Sequence, residues 1–181
     1  TNPIKTQYSA GLDLDFIMTF KSKKSFQNYT DLKIKGFGEY YIKKKVAIGA
    51  ALKAENIKVL AVTPKGKVKD DDAYRAKRVD KIKLQFNLPS NPLTQSDEKE
   101  IFVRVLDPDG AVISDDAMGS GKFNWKGQEM VFTTKNVVPY QNSNQIVEMT
   151  YDNAQKFRPG KYSVEVYAEN FRIGTSNFTI K

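Results

Sequence analysis

The sequence predicts an all-β protein, an immunoglobulin-like β-sandwich carrying a short β-rich N-terminal extension or subdomain. Three observations predict it. Apolar residues recur with a period of two, as on half-buried strands. Turn-forming dipeptides punctuate these runs at fairly regular intervals. No stretch holds a 3.6-residue period over roughly 11 or more positions.

The clearest strand is KIKLQFNL, where Ile82, Leu84, Phe86 and Leu88 share one face and Lys81, Lys83, Gln85 and Asn87 the other. In EIFVRVLD, Ile101, Val103 and Val105 alternate with Phe102, Arg104 and Leu106, so both faces of that strand are expected to be covered. Further strands are expected over 13–21, 39–48, 57–64, 130–135 and 146–151. The chain closes with GKYSVEVYAENFRIGTSNFTIK, a hairpin with Tyr162, Val164, Val166 and Ala168 on one face and a turn at Glu169-Asn170. Gly174 sits where the apolar parity changes from Ile173 to Phe178 and Ile180, which predicts a bulge. Between the strands lie Pro64-Lys65-Gly66, Pro89-Ser90-Asn91-Pro92, Asp107-Pro108-Asp109-Gly110 and Arg158-Pro159-Gly160. A helical turn is expected over 153–157. The single Trp, Trp125, reads as part of a Gly-bounded loop.

About seven strands follow Leu52, which is the count of a single sandwich. The expected division is therefore a β-rich extension over 1–50 and the sandwich over 51–181. The extension is rich in aromatics, including Phe16, Phe20, Phe26, Tyr29, Phe37, Tyr40 and Tyr41.

Composition excludes several chemistries. The chain has 181 residues, no Cys and no His. Cysteine nucleophiles, Cys/His zinc sites and a histidine base are absent from its repertoire. No apolar run reaches the roughly 20 residues that span a bilayer. The chain does not begin with Met and reads as a piece of a longer protein.

The net charge is +8 and uneven. Residues 1–87 hold 19 Lys/Arg against 9 Asp/Glu, whereas residues 88–181 hold 10 against 12. Lys43, Lys44, Lys45, Arg75, Lys77, Arg78, Lys81 and Lys83 are the candidate electrostatic binding residues. A basic surface attracts anionic glycan, lipid or nucleic acid. The same lysines also discourage edge-to-edge strand pairing.

Other motifs are weaker. Asp70-Asp71-Asp72 alternates direction along an extended chain, so its carboxylates do not converge on a metal; a solvated hairpin tip is expected. Asp107-Pro108-Asp109-Gly110 opens like a calcium loop, but Asp115 and Asp116 follow at the wrong spacing, and a type I turn accounts for all four residues. Gly119-Ser120-Gly121-Lys122 lacks the spacing and the helix of a P-loop and reads as a flexible loop. Asn28-Tyr29-Thr30 and Asn177-Phe178-Thr179 match the glycosylation pattern. FIMTFKSKKSF and YYIKKK interleave aromatics with lysine, yet Phe16, Met18 and Phe20 share the parity of core residues, which argues against a nucleic-acid stacking platform. No metal or cofactor is expected. No pair among Glu98, Glu100, Glu129, Glu148 and Glu165 is marked as opposed and buried, as a carboxylate-dependent hydrolase requires.

Three segments carry a resemblance: LKAENIKVLAV, YRAKRVDKIKLQFNLPSNPLTQSDEKEIFVRVLDPDGAVI and the closing hairpin. The "AKRxDKI" strand entry, the "G-x-Y-x-V-x-V-Y" hairpin and the terminal "F-x-I/L-K" resemble the C-terminal Ig-like module of Bacteroidota membrane-anchored coiled-coil proteins, often labelled chromosome-partitioning or segregation-like, over about 46–181. In that family a membrane helix and a coiled coil precede the module, whereas residues 1–45 here show no heptads. The resemblance implies a periplasmic or cell-envelope location, with membrane attachment only through a segment outside this chain. Residues and resemblance together predict a non-enzymatic binding or scaffold module that contacts another protein, a second copy of itself included. Binding of anionic glycan, lipid or nucleic acid through the basic half is the first alternative. A carboxylate-dependent hydrolase on a β-sandwich is the second.

Overall fold

A computed structural model describes residues 4–9, 15–20, 47–152 and 156–181. The chain divides into two compact units, Thr1–Gly49 and Ala50–Lys181. In the first, strands β1 (Ile4–Ser9) and β2 (Asp15–Phe20) pair antiparallel, from Ile4 opposite Phe20 to Ser9 opposite Asp15.

The second unit is all-β and antiparallel. Its strands are β3 (Glu55–Val62), β4 (Val68–Lys69), β5 (Lys81–Leu88), β6 (Glu98–Leu106), β7 (Gly121–Trp125), β8 (Gln128–Phe132), β9 (Thr134–Pro139), β10 (Gln145–Asp152), β11 (Gly160–Ala168) and β12 (Phe171–Ile180). Sheet I has the order β10-β5-β3-β4, sheet II has the order β12-β11-β6-β9, and β7-β8 form a separate hairpin.

Strict alternation places the core. Ile82, Leu84, Phe86 and Leu88 of β5 are buried, and their neighbours along the strand are half-buried. They meet Ile101, Val103 and Val105 of β6 and Tyr162, Val164 and Val166 of β11 in one continuous cluster. Each such aliphatic side chain contributes roughly 1.5–3 kcal/mol by leaving water, and this is what holds the two sheets face to face.

Strand β6 is covered on both sides from Ile101 to Leu106, with its outer residues half-buried, as its sequence predicts. Its outer residue Phe102 stacks on Phe123 of β7, ring centroids 4.6 Å apart and planes 13° from parallel. Phe123, Phe132 and Tyr167 form a second buried cluster there, joined by Trp125 and Met130.

The closing hairpin turns at Glu169 and Asn170, both with positive φ (49° and 64°). That is the backbone of a type I′ turn, whose twist matches the flanking strands. The bulge lies where Gly174 predicts it: Val166 pairs with Gly174 and Tyr167 with Arg172, leaving Ile173 as the extra residue. A Cβ on Gly174 would stand 2.5 Å from Ile57 Cδ1 and 3.0 Å from the Ala54 carbonyl oxygen. Glycine permits that approach, and the Ala54 N–H donates to the Ile173 carbonyl at 2.9 Å.

Four expectations need correction. The strand expected over 39–48 lies outside the described residues up to 46, and residues 47–50 are helical, in keeping with their two alanines. The strand expected over 130–135 is two strands, β8 and β9, broken at Thr133. Trp125 ends β7 rather than sitting in a loop; Lys126 and Gly127, at φ 52° and 83°, make the two-residue turn. The acidic run Asp70–Asp72 follows edge strand β4, because the β3-β4 turn closes earlier, with the Gly66 N–H donating to the Thr63 carbonyl at 2.8 Å. The helical turn expected at 153–157 falls mostly outside the described residues.

The close approach at Gly174 is testable. Gly174→Ala should lower unfolding stability by about 1–3 kcal/mol in urea denaturation, the usual cost of overpacking. An unchanged midpoint would show that the bulge tolerates a side chain.

Candidate functional site

Thr133 turns the chain from the hairpin into sheet II, and all its polar atoms are engaged. Its N–H donates to the Val103 carbonyl at 2.8 Å, and its hydroxyl donates to the Ile113 carbonyl at 2.7 Å. The same hydroxyl oxygen accepts from the Val105 N–H at 2.9 Å. Its carbonyl accepts from the Ser120 hydroxyl at 2.8 Å. Ser120 also accepts from the Asp115 N–H, so Gly119–Lys122, expected to be flexible, is a hydrogen-bonded corner leading into β7.

Arg104, on the outer face of β6, ties the hairpin down. Its Nε donates to the Val131 carbonyl at 3.0 Å, and its guanidinium pairs with Glu165 at 2.6 Å, both side chains mostly buried. The Tyr167 hydroxyl donates to the same carboxylate, and burial pushes the Tyr167 phenol up from its ordinary value.

The hairpin therefore stands over sheet II and encloses a groove of about 530 Å³. Phe102, Phe123, Trp125 and Tyr167 line its floor. Charged residues border it, and the lysines among them are matched by carboxylates. Lys135 pairs with Glu100 at 2.9 Å and Lys122 with Glu129 at 2.7 Å. Lys99, on the core-facing parity of β6, is buried and pairs with Asp97 at 2.7 Å and with Glu169. Burial is the largest single influence on the Lys99 ammonium and pulls its pKa down, but hydrogen bonds and charge from Asp97 and Glu169 outweigh it and hold it above the ordinary value.

Among the described residues, the predicted basic residues fall into two sets. Lys43, Lys44 and Lys45 lie outside the described residues. Arg75, Lys77 and Arg78 are exposed on and beside a single 3₁₀ turn, Ala76–Arg78. Lys81 and Lys83 are half-buried on β5, paired across the sheet with Asp152 at 2.5 Å and Glu148 at 2.7 Å on β10. The Asp152 hydrogen bond raises the Lys81 pKa, and the Lys83 hydrogen bond lowers that of Glu148. Neutralised in this way, Lys81 and Lys83 add little to an anion-attracting field.

The edges differ in kind. The outer edge of β12 is clipped by earlier segments: the Tyr74 N–H donates to the Thr179 carbonyl, the Lys181 N–H to Tyr74 and the Ala76 N–H to Lys181. Strand β4 has two residues, and β9 carries Lys135 and Pro139, all devices that blunt an edge. Strand β10 has eight residues, pairs with β5 without a bulge and contains neither Lys nor Pro. Among the described residues no backbone hydrogen bond closes its outer edge over 146–150. Ile146 on it is 65% exposed.

A family model matches residues 55–181, the segment that builds both sheets and the hairpin. The chain belongs to DUF8428, a domain of unknown function. The DUF8428 domain thus includes the groove and every strand of both sheets. No curated protein matches the chain. Among solved structures, the alkylpurine DNA glycosylase AlkC of Pseudomonas fluorescens, bound to DNA containing an abasic-site analogue, is similar at 18% identity with a TM-score of 0.37. The similarity covers 74% of this chain and 31% of that one, and at this level it carries no functional argument.

No group of three or more His, Cys, Asp or Glu could hold a metal ion among the described residues. No described helix is long and apolar enough to cross a membrane. The DUF8428 turn at Asp107–Gly110 is closed by the Gly110 N–H donating to the Asp107 carbonyl at 2.9 Å. Arg158 holds both of its carboxylates, Asp107 at 2.6 Å and Asp109 at 2.9 Å.

Burial is the largest influence on the Asp107 carboxyl and would raise its pKa. The N–H groups of Ala111 and Asp109, with Arg158, outweigh it and hold the pKa below the ordinary 3.8. A depressed carboxyl stabilises the fold above its unfolded pKa, and this contribution is lost as pH falls through the folded value. Asp107→Asn should therefore be less stable than wild type at about pH 5, with the gap closing towards about pH 2, read by thermal or urea unfolding. A gap that does not change with pH would contradict this reading.

Proposed function

We propose that this DUF8428 domain is a non-enzymatic binding module that docks another protein by strand addition at the open edge of β10. One observation carries the reading: β10 is a long, regular edge strand without Lys or Pro, and among the described residues no backbone hydrogen bond joins its outer edge over 146–150. Unpaired backbone groups along such an edge supply the hydrogen bonds of an added strand, and side chains on alternate positions supply selectivity. The carboxylates of β10 are already matched to lysines of β5, so the incoming strand would be uncharged where it meets them and apolar opposite Ile146.

The finer, immunoglobulin-like reading draws support from strand order and from Tyr162. With β3, β5, β6, β10, β11 and β12 in the places of strands A, B, C, E, F and G, sheet I runs E-B-A and sheet II runs G-F-C. Tyr162, early in β11, donates from its hydroxyl to the Arg158 carbonyl at 2.9 Å, the connection by which a tyrosine corner closes this kind of sandwich. The resemblance of residues 46–181 to an envelope module supports a place at the bacterial cell envelope, reached through a membrane segment outside this chain.

Ile146→Lys tests the reading, because it adds a blunting charge at a position too exposed to matter for the core. Wild-type and variant chains are used as baits in the native cell. The expected result is a partner held by wild type and lost from the variant, with the β10 amides protected from hydrogen exchange in the complex. A partner held equally by both, or released by salt as an electrostatic contact would be, contradicts it.

A further inference from the structure

We propose that the groove between the β7-β8 hairpin and the outer face of sheet II binds an uncharged oligosaccharide, seated on the rings of Phe102 and Trp125. The volume, about 530 Å³, lies within the range of roughly 300–1,000 Å³ that small-molecule sites occupy.

Charge excludes the obvious ligands. Lys99, Lys122 and Lys135 are each matched to a carboxylate, Lys99 to two, and Glu98 also lines the groove, so it offers an anion no unmatched lysine. An anionic ligand would have to break one of these pairs to enter. A peptide strand fares no better. The floor is the face of β6, whose backbone is laddered to β11 on one side and β9 on the other. Strands β7 and β9 border the groove with one open edge each, but β7 has five residues and β9 carries Lys135 and Pro139, so recognition falls mainly to side chains.

Those side chains suit a sugar. Phe102 and Trp125 are half-buried and line the groove, Phe102 with Phe123 stacked on one of its faces and Trp125 with the Lys126 ammonium 4.7 Å from its ring centroid. An aromatic face is electron-rich and attracts the polarised C–H bonds on the flat side of a pyranose. Amides at the rim, Asn124 and Asn170, match sugar hydroxyls in being donor and acceptor at once. A second, independent observation points the same way. The indole Nε1–H of Trp125 is buried and has no hydrogen-bond partner. Buried donors are nearly always satisfied, so an orphan beside a groove calls for an acceptor brought from outside. A sugar hydroxyl or ring oxygen is such an acceptor and brings no charge.

Trp125 is the only tryptophan in the chain, so its fluorescence reports on the groove alone. The full chain is titrated with cellohexaose, maltohexaose, chitohexaose, xylohexaose and mannohexaose, each to about 10 mM, a ceiling that still captures weak binding. At least one should shift Trp125 emission saturably, and the midpoint should hold between roughly 50 mM and roughly 500 mM salt. Trp125→Phe, which keeps a ring but removes the orphan donor, should lose about tenfold in affinity by calorimetry, with its urea midpoint no lower than wild type. Asn170→Gly keeps the positive-φ turn and should weaken binding several-fold. No saturable shift with any of the five sugars overturns the proposal. So does a response confined to an acidic sugar such as oligogalacturonate, to a peptide, or to low salt. The groove lies away from β10, so the Ile146→Lys result leaves this test untouched.

Discussion

Thr133 is the residue on which the rest of the molecule turns. It is wholly buried and places four hydrogen bonds around one side chain and its own peptide groups. Two of them tie it to β6, one to the segment after that strand, and one to Ser120 at the foot of the hairpin. At this point the chain leaves a two-stranded hairpin and enters a four-stranded sheet. A buried polar group is costly unless every partner is present, so a satisfied one specifies a single arrangement. Here that arrangement fixes where the hairpin stands.

What the hairpin covers follows from that position. Strand β6 carries aliphatics inward and Phe102, Arg104 and Leu106 outward. The inward set closes the sandwich. The outward set needs its own cover, which Phe123, Phe132 and the backbone of Val131 supply. The Arg104–Glu165 pair survives burial because its members have additional hydrogen bonds: Arg104 to Val131, and Glu165 to Tyr167 and Arg172. A paired charge with its remaining hydrogen-bonding capacity used avoids most of the penalty of leaving water. The groove and its aromatic floor are thus by-products of covering the second face of one strand.

Much of this is legible in the sequence. The parity of Ile82 to Leu88 and of Tyr162 to Ala168 places the core directly, because period-two alternation survives any tertiary context in which one face is buried. Gly174 announces the bulge, since a parity change cannot be made in a regular strand. The alternation in EIFVRVLD shows that β6 is covered twice, though not by what. The break at Thr133 is invisible: a β-branched residue between Phe132 and Thr134 reads as more strand. Trp125 reads as loop because glycines flank it, yet Gly127 is a turn residue and Gly121 begins a strand. Phe123 and Trp125 on one parity, facing Met130 and Phe132 across Lys126-Gly127, was the signal available. The pairing of the basic residues is hidden for another reason. That Lys81 and Lys83 face Asp152 and Glu148 depends on β10 lying beside β5, a long-range pairing that no local pattern encodes.

The position of the hairpin depends most directly on the Thr133 junction. Thr133→Val keeps the shape of the side chain but leaves the Val105 N–H and the Ile113 carbonyl without their partner, at a cost of about 1–3 kcal/mol for each buried group. The measurement is acrylamide quenching of Trp125 in wild type and variant under conditions where circular dichroism shows both sheets intact. The hairpin should loosen first, so Trp125 in the variant is quenched more strongly and emits further to the red. Equal quenching and emission, in a variant as stable as wild type, would show that the hairpin is held without Thr133.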